Sequence, residues 1–407
     1  MRELNFKDCI NNIGFVKDSI DNTWLNKEIE KINLYKPPKK LRKLSYLDSE
    51  EQFHPLALLF HKVQNQVKSC IENKFFDFSP EMMRLSRLGE SLYVLKKSNP
   101  INLENKISDL TSSNKELFEK TYYEIDVAAA YTKRGYPIEF MKTESEKGDK
   151  SPDLLIDFKN GIEIECKKKD IRSERDLKNI ENWKYISQKA SGLMDHFGIN
   201  YAVTVKTKND IEQKDVEFIL DQLNKFIKEE KEGNFGFQER GIFIVLLPLS
   251  KKDQILESDV MQFMLSEDPD YLIHVQEVKM ESGKSIIRNP RIFSFKTSKM
   301  PDRIMSVINS IKTGKKQLSG NRPGLIYVNT QFINEKTTDS DLKRLDSLIK
   351  KVLKENSRIS GVVITSEWLI KNDKMCSYSH KTKYIENEIA KNSIPEDFEI
   401  VGKACQY

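Results

Sequence analysis

The sequence predicts an α/β protein with a core in the order helix, three strands, helix, strand. A helical region precedes this core and an α/β extension follows it. Three observations carry that reading. Residues 115–134 keep a helical apolar period and stop at Gly135, a C-cap glycine. Residues 152–167 read as a β-hairpin, with Leu154-Leu155-Ile156 and Ile162–Lys167 flanking an Asn160-Gly161 turn signal. Beyond residue 207, apolar β-rich runs such as Ile242–Leu247 alternate with helical stretches.

Taken in order, residues 1–35 show no clean period, and Lys36–Lys43 form a basic, Pro-containing segment that reads as a linker. Residues 55–72 and 80–97 predict helices. The second has Ser79 as N-cap, Pro80 at its first position, Glu81 in the first turn, and Met82, Leu85, Leu88, Leu92 and Leu95 on one face. Residues 99–114 read as a linker. After the 115–134 helix come a strand at Tyr136–Phe140, a polar loop at Glu144–Lys150, the hairpin, a helix over about 174–196 and an alternating strand at Ile199–Lys206. The extension predicts helices at about 211–231, 254–265, 301–313 and 340–355, with strands at Gly241–Leu249, Pro323–Thr330 and Gly361–Thr365. The domain reading is 1–112 helical, 113–208 core and 209–407 extension. Whether the extension lengthens the core sheet or stands apart is open at this level.

The hairpin is the informative element. In Ile162–Lys167 the strand alternates, with Ile162, Ile164 and Cys166 on one face and Glu163, Glu165 and Lys167 on the other. A two-residue loop would pair Asp153 with Lys168. A three-residue loop, Lys159–Gly161 with Gly161 in the left-handed conformation, pairs Phe158 with Ile162, Leu155 with Glu165 and Asp153 with Lys167. Only the latter places Asp153, Glu165 and Lys167 on one face, because a one-residue slip reverses a strand's side chains. The expected loop is therefore the three-residue one.

Composition narrows the function classes. Charged residues make up 32% of the 407 and mean hydropathy is −0.58, which excludes a helical membrane protein. The N-terminus shows no signal-peptide pattern. Five scattered cysteines without a paired spacing predict a reducing, cytoplasmic setting and argue against structural zinc. Net charge is +5, which permits nucleic-acid binding without requiring it. No phosphate-binding Gly-rich loop of the motor type is present.

Pro152-Asp153 followed by Glu165-Cys166-Lys167 resembles the active-site hairpin of the PD-(D/E)xK nuclease superfamily, whose fold is restriction-endonuclease-like. The resemblance covers residues about 115–207 and implies a metal-dependent nuclease acting on DNA. It implies Mg²⁺, with Mn²⁺ as substitute, held by Asp153, Glu165 and the Cys166 backbone carbonyl. Lys167 would orient the attacking water or offset developing charge. The family also carries an acid on the preceding helix. Glu124 is the choice for that ligand, with Glu119 and Asp126 as alternatives. Some members add a glutamine on the following helix, where Gln188 falls; Lys168, Lys169 and Arg172 would leave the active strand towards phosphate. The Lys312–Arg322 stretch is a further candidate phosphate contact, with a solvated loop as the stronger reading. The implied setting is a cytoplasmic bacterial restriction or anti-phage effector, working as a homodimer or with a partner protein of a defence system.

Hard oxygen ligands suit that chemistry. Two carboxylates and a carbonyl leave positions open for water and phosphate, as Mg²⁺ requires. The motif alone is permissive, since Glu-x-Lys recurs at 72–74, 104–106, 212–214, 229–231 and 277–279. The closest decoy, Pro269-Asp270 with Glu277-Val278-Lys279, has no turn between its acids. One strand would hold them more than about 20 Å apart, on opposite faces. Two rival functions remain: a catalytically inactive nuclease-fold protein that binds nucleic acid or acts as a scaffold, and a nuclease for RNA or DNA junctions.

Overall fold

The computed structural model describes residues 6–35, 52–73, 78–141, 151–169, 174–249, 255–256, 271–281, 284–297, 303–330, 339–372 and 375–402. Lys36–Lys43, Glu144–Lys150, Arg172, Pro269-Asp270 and most of the helix expected near 254–265 lie outside those residues. The first nine elements are α1 (Phe6–Ser19), α2 (Asn22–Leu34), α3 (Pro55–Asn73), α4 (Pro80–Ser98), α5 (Leu103–Asp109), α6 (Glu116–Thr132), β1 (Ile138–Phe140), β2 (Leu154–Ile156) and β3 (Ile162–Lys168). Next come α7 (Glu174–Phe197), β4 (Tyr201–Thr207), α8 (Gln213–Lys228), β5 (Gly233–Phe237), β6 (Ile242–Pro248), β7 (Ile255–Leu256), β8 (Tyr271–Glu281) and β9 (Lys284–Thr297). The chain closes with α9 (Arg303–Gly314), a 3₁₀ turn (Lys315–Gln317), β10 (Gly324–Asn329), α10 (Asp339–Lys354), β11 (Gly361–Asn372) and β12 (Met375–Glu386). Among the described residues no helix is long and apolar enough to cross a membrane.

The protein is mixed α/β, with two mixed sheets belonging to two compact units. The first unit takes the described residues of Met1–Tyr35, Phe53–Ile171 and Asp302–Tyr407; the second takes those of Lys36–Gln52 and Arg172–Pro301. These limits differ from the boundaries 112/113 and 208/209 read from sequence. The chain leaves the first unit just after β3 and returns to it just before α9.

In the first unit the sheet order is β1-β2-β3-β10-β11-β12. β1, β2 and β3 run antiparallel in turn, β10 lies parallel to both β3 and β11, and β12 returns antiparallel to β11. One sheet face, through Ile162, Ile164, Cys166, Leu325, Tyr327 and Val363, shares a continuous core with α6 and the N-terminal helices. The other face, through Ile326, Val328, Val362 and Ile364, packs on α9 and α10.

Four expectations change here. The strand expected to complete the core sheet, β4, pairs instead with β6 and β9 in the second sheet. Its Val203 and Val205 join a separate core with Trp183 and Ile186 of α7 and Val216, Ile219 and Leu223 of α8. The local pattern specified a strand correctly, but pairing is non-local and β10 takes the place beside β3. Second, residues 99–114 are not a linker: α5 buries Leu103 and Ile107 at helical spacing and adds Leu110 beyond its end. Third, residues 6–34 hold two helices, with Asp21 capping α2 by accepting from the Thr23 N–H at 2.8 Å. Strand β6, expected to be wholly buried, alternates: Ile242, Ile244 and Leu246 are buried while Phe243 and Leu247 are exposed.

The N-terminal helices are fixed by close approach. A Cβ at Gly89 of α4 would stand 1.9 Å from the Asn12 backbone oxygen of α1. Gly89→Ala must therefore separate the two helices, at a cost of about 1–3 kcal/mol for overpacking. Chemical denaturation should show that loss; an unchanged midpoint would mean the helices do not pack this way.

Candidate functional site

The hairpin register decides which side chains meet. Leu154 pairs with Ile164, Leu155 with Glu163 and Ile156 with Ile162. The loop is five residues, 157–161, not three, closed by the Gly161 N–H donating to the Phe158 carbonyl at 2.9 Å. Lys159 and Gly161 both take positive φ, 51° and 85°. The register thus differs from the expected one by two residues. A shift of two preserves side-chain parity, so Glu163, Glu165 and Lys167 keep the face predicted for them.

Across from Cys166 in this register stands Pro152. Proline has no N–H, so it has no ladder donor to offer the Cys166 carbonyl. The Cys166 N–H, for its part, is met by a side chain rather than by the ladder: Asp153 Oδ2 accepts it at 2.8 Å. The Glu163 N–H, by contrast, donates towards β10, to the Pro323 carbonyl at 2.9 Å. Strand alternation therefore turns both the N–H and the carbonyl of Cys166 to the β2 side of β3. The Cys166 side chain is core, and burial followed by the Asp153 charge pushes its thiol up, so it stays protonated.

Glu124 reaches the same place from α6 and is fully buried. Its Oε2 accepts from Lys106 Nζ of α5 at 2.6 Å. Lys120, one turn earlier on α6, places Nζ 3.4 Å from Glu124 Oε1 and 3.2 Å from Asp153 Oδ1. The 3.4 Å contact has ion-pair distance without hydrogen-bond aim, and Glu124 Oε1 makes no hydrogen bond. The two other acids considered on this helix are engaged elsewhere: Glu119 bonds Arg84, and Asp126 takes a two-pronged bond from Arg87.

Glu165 is likewise fully buried and forms an ion pair with Lys167. A Cβ at Gly314, the last residue of α9, would lie 3.2 Å from Glu165 Cγ. With its amide nitrogen turned to the carboxylate, Gln317 of the 3₁₀ turn donates to both Glu165 oxygens at 2.5 Å. The neighbouring Ser319 N–H donates to Glu163 Oε2 at 2.8 Å. Part of the Lys312–Arg322 stretch thus lies against the acids of β3, while Lys312, Lys316 and Arg322 are exposed. Lys168 donates to Asn329 Oδ1 of β10 at 3.0 Å.

Charge follows from this burial. Glu165 is pushed up to about 8 by burial and then by Asp153, against the pull of Lys167 and Lys120. Glu124 is pushed up to about 7 by burial and Asp153, with Lys106 and Lys120 opposing. Burial would lower the Lys120 ammonium, but Asp153 and Glu124 outweigh it and hold it above the ordinary lysine range. Among the described residues no three His, Cys, Asp or Glu side chains form a set that could hold a metal ion. Ammonium groups stand between the carboxylates instead. A ligand set of two carboxylates and a backbone carbonyl is not such a trio, and its all-oxygen chemistry fits a hard divalent cation. The buried, unbonded Glu124 Oε1 fits the same need.

Of the sequence-predicted residues, Asp153 meets the Cys166 N–H and shares Lys120 with Glu124, while Glu165 pairs with Lys167 on the β3 face towards α9. Gln188 lies on α7, in the second unit. Three participants went unpredicted. Lys120 was visible as a Lys–Glu pair at helical spacing with Glu124. Lys106 lay in a segment read as linker. Gln317 comes from the helical connection into β10, the true neighbour of β3, about 150 residues after the motif.

What fold and site define is a mixed α/β protein with a buried carboxylate–lysine cluster where two antiparallel strands part. No protein-family model matches the chain, and no curated protein matches it either.

Proposed function

We infer that this protein is a metal-dependent nuclease that hydrolyses DNA phosphodiester bonds, with a restriction-endonuclease-like core built from α6, β1–β3, α9 and β10. The observation that carries the reading is the break in the β2–β3 ladder at Pro152. It leaves the Cys166 N–H to the Asp153 carboxylate, next to the stretch of β3 that carries the Glu165–Lys167 ion pair. Asp153, Glu165 and the Cys166 carbonyl would hold Mg²⁺ or Mn²⁺, with Glu124 behind them. The ion supplies charge neutralisation on the phosphate and an acidified water. The chain's own residues do the rest. The Cys166 N–H fixes the Asp153 carboxylate through Oδ2, leaving Oδ1 to the Lys120 ammonium. Gln317 and the close approach of Gly314 hold Glu165. The Lys167 ammonium stands at the carboxylate edge, where it can orient a water or offset charge developing on the phosphate. The raised carboxylate pKa values suit a site completed by a cation.

A second reading, a non-catalytic nucleic-acid-binding or scaffold protein, has one observation in its favour: Lys106, Lys120 and Lys167 already neutralise the cluster. The substrate and role remain part of the proposal, including DNA over RNA or a junction, a dimer and a defence setting. Purified protein incubated with supercoiled plasmid, linear duplex, single-stranded DNA and RNA, with and without Mg²⁺, separates these readings. Mg²⁺-dependent cleavage of DNA is expected. Cleavage of RNA alone would move the substrate class, and intact substrates throughout would favour the scaffold.

A further inference from the structure

Lys120 stands one helical turn before Glu124, and its ammonium faces two particular oxygens. Asp153 has given Oδ2 to the Cys166 N–H, and Glu124 has given Oε2 to Lys106. Asp153 Oδ1 and Glu124 Oε1 are left, at 3.2 and 3.4 Å from Lys120 Nζ. Glu124 Oε1 is buried and makes no hydrogen bond, so one ammonium only partly answers two carboxylates. The two lysines differ in freedom. Lys106's side chain is 11% exposed and clamped, whereas Lys120's is 43% exposed and has solvent to withdraw into.

We propose that Lys120 is a tethered competitor for the divalent cation, its ammonium occupying Asp153 Oδ1, an oxygen of the ligand set inferred above, and leaning on Glu124 Oε1 until an ion displaces it. This rests on the metal-binding reading above and adds to it a chain-encoded limit on ion affinity. Two positive charges cannot share that position without repulsion. Apparent affinity is then the intrinsic affinity multiplied by the fraction of protein in which Lys120 is withdrawn. In exchange, the metal-free fold keeps a counterion for two crowded carboxylates.

Removing the ammonium should act in opposite directions on the two states. In full-length Lys120→Gln, Mn²⁺ should bind about fivefold more tightly, the size of one partly exposed ion pair. Free Mn²⁺ measured by its paramagnetic resonance signal reads this directly. Melting in EDTA should come at a lower temperature than wild type, and saturating Mn²⁺ should narrow that gap. Lys120→Arg, which keeps the charge, should stay near wild type in both measurements. If Lys120→Gln is unfolded in EDTA, recovery on adding Mn²⁺ supports the proposal and failure to recover overturns it. Equal or weaker Mn²⁺ binding by Lys120→Gln, with wild-type binding still lost in Asp153→Asn, ends the proposal and leaves the metal site standing. No Mn²⁺ binding by wild type ends both.

Discussion

Asp153→Ala and Glu165→Ala should each reduce Mg²⁺-dependent DNA cleavage to background, a loss of about a thousandfold or more, and Lys167→Ala should fall by about a hundredfold or more. The two acids have different reasons. Asp153→Ala removes a proposed oxygen ligand and also the acceptor that secures the Cys166 N–H at the end of the ladder. Glu165→Ala removes a carboxylate held by Lys167 and Gln317. Glu165→Ala also opens space against Gly314, where a Cβ would meet Glu165 Cγ at 3.2 Å. Lys167→Ala leaves both proposed oxygen ligands in place and takes away the ammonium paired with Glu165, the one proposed to face the phosphate. Circular dichroism should stay native for all three, because the apolar face of β3, through Ile162, Ile164 and Cys166, is untouched. Undiminished cleavage by any one variant supplied with Mg²⁺ removes that residue from the mechanism.

The second large effect is on stability against pH. Glu165 ionises near its ordinary 4.5 when unfolded but only near 8 when folded. Between those values the folded state binds more protons than the unfolded state, so stability falls as pH rises. The contribution is whole below pH 4.5 and is lost as pH passes 8. Glu124, raised to about 7, adds to the same trend over the lower part of the window. The metal-free melting temperature should therefore drop from pH 5 to pH 8. Glu165→Gln, which carries the neutral form permanently, should flatten the curve above pH 7 and gain on the order of 1–3 kcal/mol at pH 8. Mg²⁺ takes the proton's place at the carboxylates, so the melting temperature it adds should grow over the same range. A metal-free melting curve that rises towards pH 8 would contradict the burial argument.

Much of the site was legible because it is local. Strand alternation in Ile162–Lys167 and the Asn160-Gly161 turn signal set side-chain parity, and parity survived a loop two residues longer than expected. Pro152 could have been read further: a proline opposite Cys166 ends the ladder and frees a carbonyl. Glu124 was the choice on resemblance among three acids of one helix, and burial beside Lys106 now sets it apart from Glu119 and Asp126, which pair with arginines. What the sequence could not settle was pairing between distant segments. β4 and β10 are both short apolar strands after helices, and nothing local says which one lies beside β3. That choice depends on α9 and Gln317, which arrive after the whole second unit. Lys106 was lost for a simpler reason. A seven-residue helix between Asn102 and Leu110 is too short for its period to stand out from a polar stretch.

The central claim is that Asp153 and Glu165, with the Cys166 carbonyl, hold one divalent cation. Calorimetric titration of Mn²⁺ into wild-type protein and into Asp153→Asn tests it most directly. The account predicts saturable binding in wild type that disappears in the variant. Equal heats from the two proteins, or none from wild type, would contradict it.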